Sequence, residues 1–282
     1  MPELPEVELA RSTIERAALG RTIVDVDDAD EWVCRPHAPG QVRAALLGRQ
    51  LTAAHRRGKT MWCDTSALDG DGDSSGEAGG PQLGVHLGMS GRIIVRTADE
   101  ETVHGGDPVR GADGTDASVA KPEWYRFTLT FDDGGSLRLF DKRRLGRVRL
   151  DPSLEDLGPD AAEIGVADFR ARVGRGTAPL KARLLDQSVL AGVGNLLADE
   201  TLWQARQDPR RPAGDLSADE LTDLHRVLRA ATRAAVRHGG VHTGEVIGSR
   251  KKGRRCPRCG AAMATGQVGG RTTWWCTAEQ QG

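Results

Sequence analysis

The chain opens Met1-Pro2-Glu3, and its first chemistry lies there. Met before Pro is a context in which the initiator Met is removed, exposing the secondary amine of Pro2. A terminal amine titrates near ~8, so roughly a tenth is neutral and nucleophilic at pH 7 before any tuning. Glu3, next in line, can donate or accept a proton. The same residues also read as a plain helix start, with prolines and acids in the first turn. A second constellation closes the chain. Cys256 and Cys259 form a C-x-x-C pair, Cys276 follows after sixteen intervening residues, and Glu279 stands where a zinc ribbon carries its fourth Cys. Three thiolates and a carboxylate satisfy tetrahedral Zn²⁺. Water or His242 could complete the shell instead, or Trp274 and Trp275 could hold a metal-free hairpin by packing. Lys59, at the end of RRGK, is a third candidate, since a Lys after Gly is either a solvated strand-end charge or an aimed cation.

These groups need elements to position them. Val7, Leu9, Ala10, Ile14 and Ala17 recur at helical spacing, which predicts a helix over 5–18. Short β-like runs follow at 22–27, 50–54, 60–64, 83–87, 92–96, 125–131, 136–140 and 146–150, with no long helix between them, as in an antiparallel sandwich or barrel. Beyond 151–160 the pattern is helical, over 166–173, 179–187, 196–205 and 217–238, before Cys, Gly and β-branched residues return at 254–280. The expected organisation is therefore α+β and multidomain, with a β-sandwich domain over 1–153, a helical domain over 154–249 and a metal-clipped hairpin over 250–282.

Charge narrows the partners. The net charge is −1, but residues 64–120 hold eleven acids against three arginines, while 177–282 hold sixteen Lys/Arg against ten Asp/Glu. The acids fall in Gly/Ser/Asp-rich stretches, 66–81 and 97–120, which read as mobile surface loops. The basic half points to an anionic partner, and RKKGRR at 250–255 adds phosphate attraction. No apolar run approaches the ~20 residues of a bilayer span, the N-terminus has no secretory h-region, and five clustered cysteines argue against a disulfide framework, so a cytoplasmic, nucleoid-associated location is expected.

MPELPEVE, RRGK at 56–59, HLGMSG at 86–91, DKRRLG at 141–146, LLDQSVLAGVGNLLADE at 184–200 and GRTTWWC at 270–276 occur in that order. Together they resemble the formamidopyrimidine-DNA glycosylase/endonuclease VIII family of base excision repair enzymes. The resemblance implies a catalytic β-sandwich, a helix-two-turn-helix domain, a zinc-finger hairpin with one structural zinc, and a monomer acting on double-stranded DNA that carries damaged bases or abasic sites. It implies a bifunctional glycosylase/lyase in which Pro2 attacks the sugar C1′, Glu3 is the general acid/base and Lys59 approaches the phosphate or Glu3. His86, Met89, Arg143, Leu145, Lys181, Asn195 and Arg271 are its implied DNA contacts. Met89, Arg143 and Leu145 would fill the gap left by a flipped nucleotide, Asn195 with the backbone N–H groups at its helix start would hold a phosphate, and Arg271 would grip the phosphates flanking the lesion. Leu145 departs from the Phe of the formamidopyrimidine branch, and Gly239–Arg255 is short for the loop that covers a flipped 8-oxoguanine there. The competing class is a catalytically silent protein that binds damage or abasic sites on the same scaffold.

Overall fold

The computed structural model describes residues 2–68, 79–106 and 121–281. It divides into two compact units, one of residues 1–2 and 6–153, the other of 3–5 and 154–282.

The first unit is a pair of antiparallel sheets. Strands β1 (Ile23–Asp27), β5 (Arg92–Arg96), β6 (Thr102–Gly106), β7 (Tyr125–Phe131) and β8 (Ser136–Phe140) form one, in the order β1-β7-β8-β5-β6. Strands β2 (Leu51–Arg57), β3 (Thr60–Thr65), β4 (Gly80–His86) and β9 (Arg147–Leu150) form the other, in chain order. Alternate residues of the inner strands, such as Phe127, Leu129 and Phe131 on β7 and Met61 and Cys63 on β3, point into one core, where Val7, Ala10 and Ile14 of helix α1 (Leu4–Ala17) join them. Two short helices, α2 (Glu31–Cys34) and α3 (Gln41–Leu46), complete this unit.

Two expectations need correction. Residues 102–106 and 80–81, assigned to acidic loops, are strand: Thr102–Gly106 pairs with β5 as an edge strand, where one face and one side stay open to water, so it carries no apolar alternation to read. The rest of those two stretches lies largely outside the described residues. Helices α2 and α3 carried no periodic signal because each is too short for one; Asp30 caps α2 by accepting the N–H groups of Trp32 and Val33.

The second unit is helical: α4 (Val166–Val173), α5 (Leu180–Leu185), α6 (Asn195–Gln204) and α7 (Ala218–His238). Helix α7 starts with a reciprocal Ser217–Glu220 capping box and stops at Gly239 in the left-handed region. Its apolar stripe, with Leu221, Leu224, Leu228 and Ala231, meets Phe169, Leu184, Leu197 and Leu202 in a second core that also takes in Leu4. Strands β10 (Met263–Val268) and β11 (Arg271–Cys276) form an antiparallel hairpin turned by Gly269-Gly270.

Candidate functional site

In the second unit, Glu3 is buried and clamped. Its carboxylate accepts the backbone N–H groups of Gly194 (3.0 Å), Leu196 (2.8 Å) and Leu197 (3.0 Å) at the start of α6. The exposed amides of a helix N-terminus, with the positive end of its dipole, are a ready anion cradle. Here the anion is a side chain of the same chain. The expectation that these amides hold a DNA phosphate is thereby corrected: those of Gly194, Leu196 and Leu197 already have an acceptor. Gly194 is required by space, since a Cβ there would lie 2.2 Å from the Glu3 carboxyl carbon.

Asn195 turns its side chain to the hairpin, donating from Nδ2 to the carbonyl of Thr272 at 3.1 Å. Lys181, expected at a phosphate, is instead fully buried. Its Nζ lies 2.6 Å from Asp199 and donates to Thr273 Oγ1 at 2.7 Å. A cation aimed at DNA would have to keep its head in water, and this one is spent inside the fold. Burial pushes the Lys181 ammonium below its ordinary value, against the pull of Asp199. Arg250 Nε meets the other Asp199 oxygen at 2.7 Å. This network pins β11, and Arg271, exposed beside the two-glycine turn, is displayed from it. Nothing in the sequence marked Asp199 as the hub, although its place in LADE was part of the motif.

In the first unit, Pro2 is buried. Lys59 follows Gly58 in the tight β2–β3 turn, and the turn is fixed from below: Arg56 donates to the Gly58 carbonyl at 3.3 Å and to Glu8 of α1 at 2.9 Å. Burial opposes the charge on Glu8, but Arg11 and Arg56 together hold its carboxyl below the usual range. His86 ends β4 with Nδ1 accepting the N–H of Gly88 at 3.0 Å, which leaves the proton on Nε2, the nitrogen free to donate. Burial, then the charges of Lys59, Arg147 and Arg149, depress its pKa.

Met89, Arg143 and Leu145 are exposed on two adjoining loops of this unit, Met89 at 41% and Leu145 at 36%. The loops are in backbone contact, since a Cβ on Gly88 would lie 2.4 Å from the Leu145 carbonyl carbon, and Gly88 has φ +61°. A single buried carboxylate joins them. Asp141 accepts from Ser90 Oγ (3.2 Å), Arg143 N–H (3.0 Å) and Gly146 N–H (2.6 Å). Three large side chains are thus held out in solvent by a rigid support.

At the far end of the second unit, one ligand atom each from Cys256, Cys259, Cys276 and Glu279 lie within 4.8 Å of one another. Three sulfurs and one oxygen at that spacing suit a single tetrahedral ion. Trp203 Nε1 donates to Cys256 Sγ at 3.3 Å, and Arg258 donates to Glu279 at 2.8 Å, the outer contacts that orient ligands. His242 is not among the grouped residues.

The described residues thus hold one unit of two antiparallel sheets around a buried core and one helical unit whose cysteine-bearing hairpin is keyed to α6. The chain matches the Formamidopyrimidine-DNA glycosylase N-terminal domain over residues 1–148 and the H2TH domain of the same enzymes over 157–245. It is 34% identical to a Formamidopyrimidine-DNA glycosylase of Roseiflexus sp. (strain RS-1), over 98% of each chain. Among solved structures it resembles Lactococcus lactis Fpg in complex with DNA containing an abasic site, at TM-score 0.76 and 25% identity over 99% of this chain and 100% of that one. MutM in complex with DNA containing carbocyclic 8-oxo-G is similar at TM-score 0.76 and 26% identity, over 100% of both chains. The chain belongs to the formamidopyrimidine-DNA glycosylase family.

Proposed function

We propose that this protein excises oxidised bases from duplex DNA and cleaves the strand at the resulting abasic site. The observation that carries the reading is the Glu3 carboxylate, immobilised by three amides of α6 one residue from the Pro2 nitrogen. With Met1 removed, the Pro2 amine attacks C1′ as the glycosidic bond breaks and the base departs with its electron pair. The amine nitrogen loses its one proton, and its lone pair then opens the sugar as the C1′–O4′ bond breaks and O4′ takes a proton from Glu3, which leaves a charged iminium, an electron sink. Loss of a C2′ proton then expels the 3′-phosphate, a second elimination expels the 5′-phosphate, and water releases the amine. Glu3 manages the protons at the deoxyribose, held to the tolerance such transfer needs. Lys59 and His86 bind phosphate, Met89, Arg143 and Leu145 occupy the space left by the flipped nucleotide, and Arg271 grips the flanking backbone.

The metal is proposed to be one structural zinc on Cys256, Cys259, Cys276 and Glu279, which supplies rigidity to the hairpin and no chemistry to the reaction. For lesion choice, Leu145 lacks an aromatic face. Gly239–Arg255 is seventeen residues, tethered where the Glu245 and Val246 N–H groups donate to the buried Glu200 carboxylate at 3.1 and 3.0 Å. Both features support ring-opened purines, oxidised pyrimidines and abasic sites over 8-oxoguanine.

Borohydride reduction of the protein with abasic-site DNA tests the reading, because only an imine former becomes covalently attached. Wild type should be trapped. A chain whose Pro2 nitrogen is acylated by an uncleaved extension should bind the DNA and escape trapping, and trapping of that form would exclude Pro2.

A further inference from the structure

Helix α2 carries an exposed tryptophan that the reading above does not use. Trp32 is 51% exposed, more than any other large hydrophobic side chain among the described residues. The Arg35 guanidinium lies 3.6 Å from its ring centroid and that of Arg147 lies 5.7 Å away. Arg149 is two residues further along β9, and His86 and Gly84 of β4 pair with Arg147 and Arg149 in turn. The cations are close enough that, after burial, Arg35 and Arg149 hold the Arg147 pKa below its ordinary value. On α2 only Glu31 is acidic. Asp30, at its cap, is engaged by Arg144 at 2.8 Å and Arg126 at 3.7 Å. Arg144 belongs to the loop that presents Arg143 and Leu145. The Asp30–Arg144 pair therefore fastens the tryptophan to the loop proposed to enter the helix, while β9 joins it to His86.

We infer that Trp32, Arg35 and Arg149 form a second DNA contact that grips the duplex backbone beside the lesion; this rests on the DNA-repair reading above. A guanidinium held over an indole ring loses rotamer freedom yet keeps N–H donors for a phosphate. The half-exposed indole offers a flat apolar surface to deoxyribose or a base edge. Arg35 Nη1 donates to the Trp32 carbonyl at 3.2 Å, which fixes it beside the ring, and among the described residues no carboxylate forms an ion pair with Arg35 or Arg149, so their charge is left for an anionic partner.

The test measures binding of a 30-base-pair duplex with a central tetrahydrofuran residue across a salt series, for wild type, Trp32→Ala, Arg35→Ala/Arg149→Ala and Arg35→Lys/Arg149→Lys, with thermal melts confirming each fold. Trp32→Ala should bind roughly tenfold more weakly. The double Ala variant should flatten the slope of log K against log salt by about 2, at ~0.9 per phosphate contact, and the double Lys variant should restore it. Cleavage by saturating protein in a single turnover should be unchanged in all of them. Wild-type affinity and slope in both Ala variants would overturn the inference, as would weakened binding at unchanged slope in Arg35→Ala/Arg149→Ala. Failure of wild type to bind the duplex would instead overturn the repair reading beneath it.

Discussion

Gly194 and Glu3 are fitted to each other: the glycine N–H donates to the Glu3 carboxylate at 3.0 Å, and a Cβ on that glycine would sit 2.2 Å from the carboxyl carbon. Gly194 has φ −118°, which alanine adopts freely, so Gly194→Ala tests the space alone. Displacing a reacting group by about 1 Å costs on the order of a hundredfold in rate. Gly194→Ala should therefore lose base excision by ten- to a hundredfold in single-turnover assays while its melting temperature falls only slightly. An unchanged rate would mean that the clamp does not position Glu3.

Lys181 and Asp199 are both fully buried as an ion pair at 2.6 Å. Removing one partner leaves a buried charge uncompensated, at about 3–5 kcal/mol. Asp199→Ala should lower unfolding free energy by that amount in denaturant titrations. Because Asp199 also receives Arg250, it should cost more than Lys181→Met, which removes the charge and keeps the stem.

Asp141→Asn replaces one acceptor oxygen by a donor where Ser90, Arg143 and Gly146 all donate. The cost is about 1–3 kcal/mol of stability. A second readout separates positioning from stability: fluorescence of 2-aminopurine opposite the lesion should show a less ordered partner base than with wild type, at a temperature where both proteins are folded.

His86 gives a pH dependence of defined sign. Its folded pKa lies below the ordinary imidazole value of 6.5, so the unfolded chain binds more protons near pH 6. The stabilisation is present above about pH 6.5 and is lost as pH falls through the lower folded value. Protonation of Nδ1 also removes the acceptor for Gly88. Melting temperatures of wild type should drop more steeply between pH 6.5 and 5 than those of His86→Asn.

Glu279 supplies the one hard donor among the four grouped ligands. Thiolate suits zinc better than carboxylate, so Glu279→Cys should retain zinc against a chelator longer than wild type, and Glu279→Ala should lose it sooner. Zinc content after timed chelator exposure decides. A wild-type protein purified without metal would refute the zinc site.

Local patterning made much of this protein legible. The strands with a buried face announced themselves because one-sided burial forces a period of two, and α7 did so because its apolar stripe is written in neighbouring residues. The spacing of Cys256, Cys259, Cys276 and Glu279 likewise determined which side chains would meet, since a hairpin folds that span on itself. The edge strand Thr102–Gly106 and the short helices α2 and α3 stayed hidden because too few residues bury too little of a face.

Tertiary structure alone decided what the polar groups do. Lys181 reads as a surface cation until Asp199, eighteen positions on, neutralises it in the core. The amides at the start of α6 read as a phosphate cradle until Glu3, 191 positions before Gly194, fills it. Sequence spacing reports burial, because the hydrophobic pattern repeats locally. The partner of a buried charge is fixed by where distant segments cross, and no local pattern encodes that.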